Sequence, residues 1–407
     1  MISHPNVRLR VLVLCCFLCA PSVALSAAPK VAFINPAYPD EPFWSMVTSF
    51  MEAAANDLGI ELTVLYAEEN RLKSLSMVEE LLSSDAKPDY LIFHLQVQVG
   101  ARILQAAEQA KVHSFVINSN TPVSDAEKIG LPRGKFKYWL GHMFPDDESA
   151  GFRLASALIT KAMREGLVDE NGKVHVIGIT GDRQNSVASE RATGLRRFAE
   201  SNQNVELHQV VHAFWDEQKA RYAANALIKR YPKTTVIWSA SSKMALGATQ
   251  AIEALGSVPG VDLFTGGIDW TSAALEAVQT GKMTAAIGGH FMEGGWALVL
   301  LHDHYHGYDF LDTVGATSRT EMSVIGAVNA ASFLEDRDVD KWASIDFKAY
   351  SLKHQTPKSA HQFTLRSLDV QSTEMTDDER AAVMQGGAKE KAEASAKVES
   401  KRLKTTE

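Results

Sequence analysis

Apolar and polar positions along this chain change period again and again. Short continuous runs of branched and aromatic residues, "KVAFIN", "ELTVLY" and "YLIFHL", read as buried strands. Between them the apolar residues fall at helical spacing, at 43, 46, 47, 50, 51, 54 and 58 and again at 72, 75, 78, 81 and 82. Helices are therefore expected over Phe43–Leu58, with Gly59 as its C-cap, and over Leu72–Leu82. Gly100–Ala110 and "SFVIN" extend the series, and after a long loop Asp147–Arg164 reads as a further helix. The alternation then restarts with "KVHVIGI", helix Val187–Glu200, "VELHQVV", helix Gln218–Arg230, "TVIWSA", helix Lys243–Leu255, "DLFTGG", helix Ser272–Gln279 and "MTAAIGG".

Strands alternating with helices imply right-handed crossovers and parallel sheets covered on both faces. Two such runs, split near Phe144, predict an α/β protein of two similar doubly wound parallel-sheet lobes. In sheets of this kind ligands bind outside the carboxyl ends of the strands. The conspicuous polar and aromatic residues follow that rule. Phe43 and Trp44 come after the first strand, Asn118 and Asn120 after "SFVI", and Arg191 after "VHVIGITG". Ser241 and Ser242 follow "VIWSA", while Asp269 and Trp270 follow "LFTGG". Residues far apart in sequence thus converge on one rim.

Composition narrows the choice of partner. The 407 residues are 45% hydrophobic and 22% charged, enough for two domains with their own cores. A formal charge of −8 argues against a nucleic-acid partner and favours a neutral or cationic small ligand. Arg8 and Arg10, the apolar run 11–20 and the small residues of "SVALSAAPK" read as a secretory signal peptide cleaved near Ser26 or Ala27. All three cysteines, Cys15, Cys16 and Cys19, fall in that segment without a lipobox, so the exported chain would hold no disulfide and no lipid anchor. No later apolar run approaches the roughly 18 residues of a membrane span.

With the strands, helices and rim residues in this order, the chain resembles the type I periplasmic binding proteins, the ribose- and galactose-binding group and the autoinducer-2 receptor among them. The likeness runs from about Lys30 to Tyr350, carried by "NPAYPDEPFW", "SFVINSNTPV", "SVASERATGL", "SSKMALGATQAIEALG" and "GGIDWTSAALEAVQTGKMTAAIGG". It implies a hinge of three crossings, with 28–144 and about 275–312 in an N-terminal lobe and 145–274 and about 313–371 in a C-terminal lobe. A charged tail occupies 372–407.

The resemblance also implies roles. Phe43 and Trp44 match the aromatic pair that packs on the flat faces of a ligand, where C–H groups offer no hydrogen bond. Arg191 matches the arginine that forks onto adjacent hydroxyls, Asp269 the aspartate that accepts from two of them, and Asn118 the polar residue after the fourth strand. There are departures. Gly288, Gly289 and His290 stand where sugar binders carry an amide, and Ser241 and Ser242 replace an Asn-Asp pair. The autoinducer receptor's arginine is absent too, its place taken by Gly289, which makes a plain polyol or sugar the better expectation than a borate diester. The small residues leave room that Trp270 or His290 could fill.

Other signals carry less. "HDHYH" at 302–306 has metal-ligand spacing, yet histidines before Gly307 suit the negative end of a helix and the surface. The glycines of "GITGDRQ" fail the dinucleotide-binding spacing, and there is no P-loop or nucleophile elbow, so neither a cofactor nor an enzyme is expected. "MTDDERAAVM" has a capping box at Thr376 and Glu379 and predicts a short helix, whereas the stretch after Gly387 has too few large apolar residues to bury a face. The expectation is a binding protein of the periplasm whose closed state is read by a membrane partner. That partner is either an ABC transporter permease or a membrane sensor such as a histidine kinase or cyclase.

Overall fold

The computed structural model describes residues 27–336, 339–356 and 361. The expected signal peptide up to residue 26, the tail at 372–407 and the helix expected from Thr376 lie outside the described residues. The first lobe begins with β1 (Lys30–Asn35), α1 (Pro42–Leu58), β2 (Glu61–Tyr66), α2 (Arg71–Ser83) and β3 (Tyr90–Phe93). It continues with α3 (Gly100–Ala110), β4 (His113–Ile117), the short α4 (Ala126–Ile129) and β5 (Trp139–Pro145). The second lobe holds α5 (Asp147–Arg164), β6 (Val174–Thr180), α6 (Ser186–Glu200), β7 (Val205–His212) and α7 (Glu217–Arg230). Next come β8 (Val236–Ser239), α8 (Ser242–Ala254), β9 (Phe264–Ile268), α9 (Ser272–Gln279) and β10 (Ala285–Gly288). The chain then forms α10 (Glu293–Tyr305), β11 (Thr317–Thr320), β12 (Ser323–Ile325), α11 (Ala327–Asp336) and α12 (Val339–Trp342).

Two six-stranded sheets result, ordered β11-β5-β4-β3-β1-β2 and β12-β10-β9-β8-β6-β7. The ladders are parallel except that β12 runs antiparallel to β10. Each central strand is apolar on both faces, as burial between two layers of helices requires. Phe33, Ile92 and Phe115 anchor the first core, and Val176, Ile177, Trp238 and Phe264 the second.

Local chemistry places the elements that carry the site. Pro42 opens α1, where a missing N–H costs nothing, and the Glu41 carboxylate accepts from the Trp44 N–H at 2.9 Å. Gly59 ends that helix at φ 70°, a left-handed conformation that glycine adopts freely. Helices α5 and α6 touch backbone to backbone: a Cβ on Gly151 would lie 2.0 Å from the Arg191 carbonyl oxygen, and one on Gly194 2.1 Å from that of Glu148. This contact sets Arg191 against Asp147.

The structure corrects the expected division of the later chain. The strand 285–288 pairs with β9 in the second sheet, so the chain returns to the first lobe after Gly288, not at about 275. The next crossing lies between β11, which pairs with β5, and β12, which pairs with β10. Nor does 313–371 stay with the second lobe. Helix α11 packs on α9, but Trp342 and Phe347 return to the first lobe, meeting Phe50 edge-on at 5.6 and 5.3 Å. Both ring contacts bury apolar surface that α1 would otherwise expose. His302, expected at the surface, is buried and lies 3.3 Å from the Ser351 hydroxyl, because this returning segment covers the end of α10.

Candidate ligand-binding site

Between the carboxyl ends of the two sheets lies a cavity of about 330 Å³. The first lobe lines it with Glu41, Phe43, Trp44, His94 and Asn118, and the second with Arg191, Trp215, Ser241, Lys243 and Asp269. His290 joins them from the crossing after β10.

The aromatic wall is held together by ring-on-ring contacts. Phe43 meets Trp44 edge-on at 5.3 Å and stacks on the His290 ring at 4.6 Å and 25°. Trp44 in turn stands edge-on to His94 at 5.4 Å. Burial holds His94 well below the ordinary imidazole range, at about 4, so this ring is neutral at physiological pH. The wall therefore offers apolar faces backed by uncharged groups.

Opposite it stands a charged cluster. Arg191, only 3% exposed, donates from Nε to Asp147 Oδ1 at 2.7 Å and from Nη1 to the Ala240 carbonyl at 2.8 Å. Its Nη2 lies 3.2 Å from His290 Nε2, and Asp269 Oδ1 lies 3.7 Å from Nη1. His290 Nε2 is also 3.3 Å from Asp269 Oδ1. That nitrogen can accept from the guanidinium or donate to the carboxylate, and the ring's tautomer selects between them. Burial lowers the His290 pKa and keeps the ring neutral. Burial also pushes Asp147 up to about 7 despite the guanidinium beside it.

Asn118 and Asp269 end their strands at φ 63° and 103°, left-handed conformations that non-glycine residues seldom take. Both are held there. The Asn118 N–H donates to Glu293 Oε2 at 2.8 Å and its Nδ2 to the His290 carbonyl at 3.1 Å, while the Asp269 carbonyl accepts from the Ser242 hydroxyl. Ser241 caps α8 through the Met244 N–H at 3.2 Å and reaches the cavity from that position.

Seven of the residues singled out from sequence, Phe43, Trp44, Asn118, Arg191, Ser241, Asp269 and His290, meet at this cavity. Trp270 does not. Its ring is fully buried against Phe333 at 4.4 Å and over Gly288, where a Cβ would lie 2.7 Å from it. The turn at Asp269 sends the two neighbours in opposite directions, so Trp270 leaves the cavity and packs against α11. Asn120 instead bonds Glu190 at 2.8 Å across the lobes. Sequence reasoning passed over Trp215, which lines the cavity with its ring 5.9 Å from the Arg191 guanidinium. The signal was present in "HAFWDE", an aromatic pair followed by the N-cap Asp216 after a strand, much as "EPFW" follows β1.

A cavity between two doubly wound lobes, walled by aromatics on one side and a hydrogen-bonding cluster on the other, defines a cleft-type ligand-binding protein. The periplasmic binding protein domain profile matches residues 31–307, and the chain belongs to that family, with the type I fold. It is 34% identical to a periplasmic sugar-binding protein of Pseudomonas fluorescens whose crystal structure superposes with a TM-score of 0.76, covering 84% of this chain and 99% of that one. Ribose import binding protein of Salmonella typhimurium is 25% identical over 249 residues, 61% of this chain and 75% of its own length. Fructose import binding protein of Bifidobacterium longum is 25% identical over 241 residues, 58% of this chain and 67% of its own.

Proposed function

We propose that this chain is an exported binding protein that closes around a small hydroxylated ligand, a sugar or polyol, and delivers it to the permease of an ABC importer. The observation that carries the reading is the pairing of an aromatic wall on the first lobe with Arg191 and Asp269 on the second, bridged by His290 from the crossing. A sugar ring has apolar faces and polar edges, and each finds its match across the cleft. Phe43, Trp44 and Trp215 take the faces, and Arg191, Asp269, Asn118, Ser241 and His290 take the hydroxyls. Ligand contacts both lobes only when they are closed, so binding shifts the population toward closure. A permease is preferred to a sensor because the named relatives are import binding proteins. Members of this family are binding proteins, and no step of catalysis is assigned to the site.

Thermal unfolding against pentoses, hexoses, inositols and amino acids tests the reading. Saturation at a hundred times the dissociation constant adds about 2.7 kcal/mol of stability. One hydroxylated compound should raise the melting temperature, and Trp44→Ala and Asp269→Ala should each remove the rise. A rise with amino acids alone would sink the polyol assignment.

A further inference from the structure

At the end of the second lobe away from the cleft, the amino-terminal ends of β6 and β7 bring together a cluster that ligand binding does not use. His175 faces Glu206 across the parallel ladder, and the register shifts after Leu207, so His208 is the extra residue of a bulge in β7, with its ring brought beside His175. His175 Nδ1 lies 2.9 Å from His208 Nε2, and Glu206 Oε1 lies 3.7 Å from His208 Nδ1. One donor atom from each of the three falls within 4.8 Å of the others.

The surroundings pre-orient these groups. The Asp169 carboxylate accepts the Asn171 and Lys173 N–H groups, both at 2.9 Å, and its other oxygen lies 3.2 Å from His175 Nε2. A carboxylate on Nε2 fixes the proton there and leaves the Nδ1 lone pair facing His208, which is how outer carboxylates orient metal-binding histidines. The His208 ring lies nearly parallel to His175, at 12°, and stacks on Tyr231 at 4.5 Å and 5°. Both histidines are mostly covered, whereas Glu206 is half exposed, which leaves an entry path.

We propose that His175 Nδ1, His208 and Glu206 form a three-donor site for a divalent transition metal, with Asp169 as its outer carboxylate. Two imidazoles and one carboxylate select zinc, copper or nickel over magnesium and calcium, which take oxygen donors. Metal–nitrogen bonds of about 2.0–2.1 Å in a tetrahedron put the two nitrogens about 3.3 Å apart, slightly wider than the hydrogen bond that joins them now. The cation replaces the proton shared by the rings, with a small turn of His208. It also competes with Lys173, whose Nζ lies 3.6 Å from Glu206, and it meets the field of Lys233, 3.9 Å from Asp169. Such an ion would cross-link the edge strand β7 to β6.

Isothermal titration of the untagged protein with zinc chloride tests this, with magnesium chloride as the contrast. One equivalent of zinc should bind with micromolar affinity and magnesium should give no heat. His208→Gln and Glu206→Gln should weaken zinc at least tenfold and about threefold, and Lys173→Ala should tighten it, while circular dichroism shows each variant folded. Absence of stoichiometric zinc binding, or equal affinity in His208→Gln, overturns the site.

Discussion

The two lobes repeat one topology and divide the labour of the cleft. Their sheets have the same strand order, yet the first lobe lines the cavity with Phe43, Trp44 and His94 and the second with Arg191, Asp269 and Ser241. One reason lies in the helices that follow the first strand of each sheet. Helix α1 begins at a proline with aromatics in its first turn, whereas α6 lies so close to α5 that Arg191 meets the buried Asp147. An aromatic surface tolerates small shifts in ligand position, but a hydrogen-bonding cluster does not. In the second lobe α5 and α6 meet backbone to backbone at Gly151 and Gly194, which fixes Arg191 where directional contacts need it.

The sharpest way to break the comparison is Arg191→Ala. It removes the guanidinium donors and leaves Asp147, which has no exposure, without its cation, a loss of about 3–5 kcal/mol in stability at pH values where that acid is ionised. Urea unfolding should show this loss, and calorimetry should show no ligand binding in the folded fraction. Next in size are the aromatics. Trp44→Ala and Trp215→Ala should each weaken the ligand about tenfold, close to 1.4 kcal/mol, while stability falls less than for Arg191→Ala. If Trp215→Ala binds as the wild type does, the second lobe contributes no ligand face and the division of labour is stricter than drawn.

The last test concerns Glu293, which opens α10 just after the crossing from β10. Its carboxylate accepts from the Asn118 N–H and the Thr320 hydroxyl, joining the ends of β4 and β11 to the start of α10. Burial pushes Glu293 up from 4.5 to about 8, and Asp147 up from 3.8 to about 7. Both acids hold a proton more tightly folded than unfolded. Their contribution to stability is therefore complete below about pH 4 and lost as the pH rises through about 8. Urea midpoints should fall between pH 5 and pH 8, and Glu293→Gln, which cannot ionise, should flatten that slope. An unchanged slope would place the Glu293 carboxyl outside the pH response.

Much of the site was legible because one rule governs it. Residues that line the cavity follow the carboxyl ends of strands, strands are visible as apolar runs, and so Phe43, Trp44, Asn118, Arg191, Ser241 and Asp269 could be picked out in a linear text. His94 obeys the same rule after β3, but it was absorbed into the expected strand "YLIFHL". Trp270 failed because periodicity says nothing about which way a side chain turns after a strand ends. That direction comes from the φ of 103° at Asp269, which the Ser242 hydroxyl and the packing of Trp270 on Phe333 sustain.

The sequence by itself determined the alternation of strands and helices, the two lobes, the glycine that ends α1, and the chemical classes of group at the rim. These are local properties, written in spacing and side-chain type within a dozen residues. Only the tertiary structure decided that the chain crosses back after Gly288 and again between β11 and β12, and that Trp342 and Phe347 return to cover α1. It alone decided that Arg191 is held by Asp147 and shared with His290, and that His175 meets His208. Those pairings join residues 33 to 99 positions apart, and the free energy that selects them is burial and hydrogen bonding summed over whole sheets, which no local window contains.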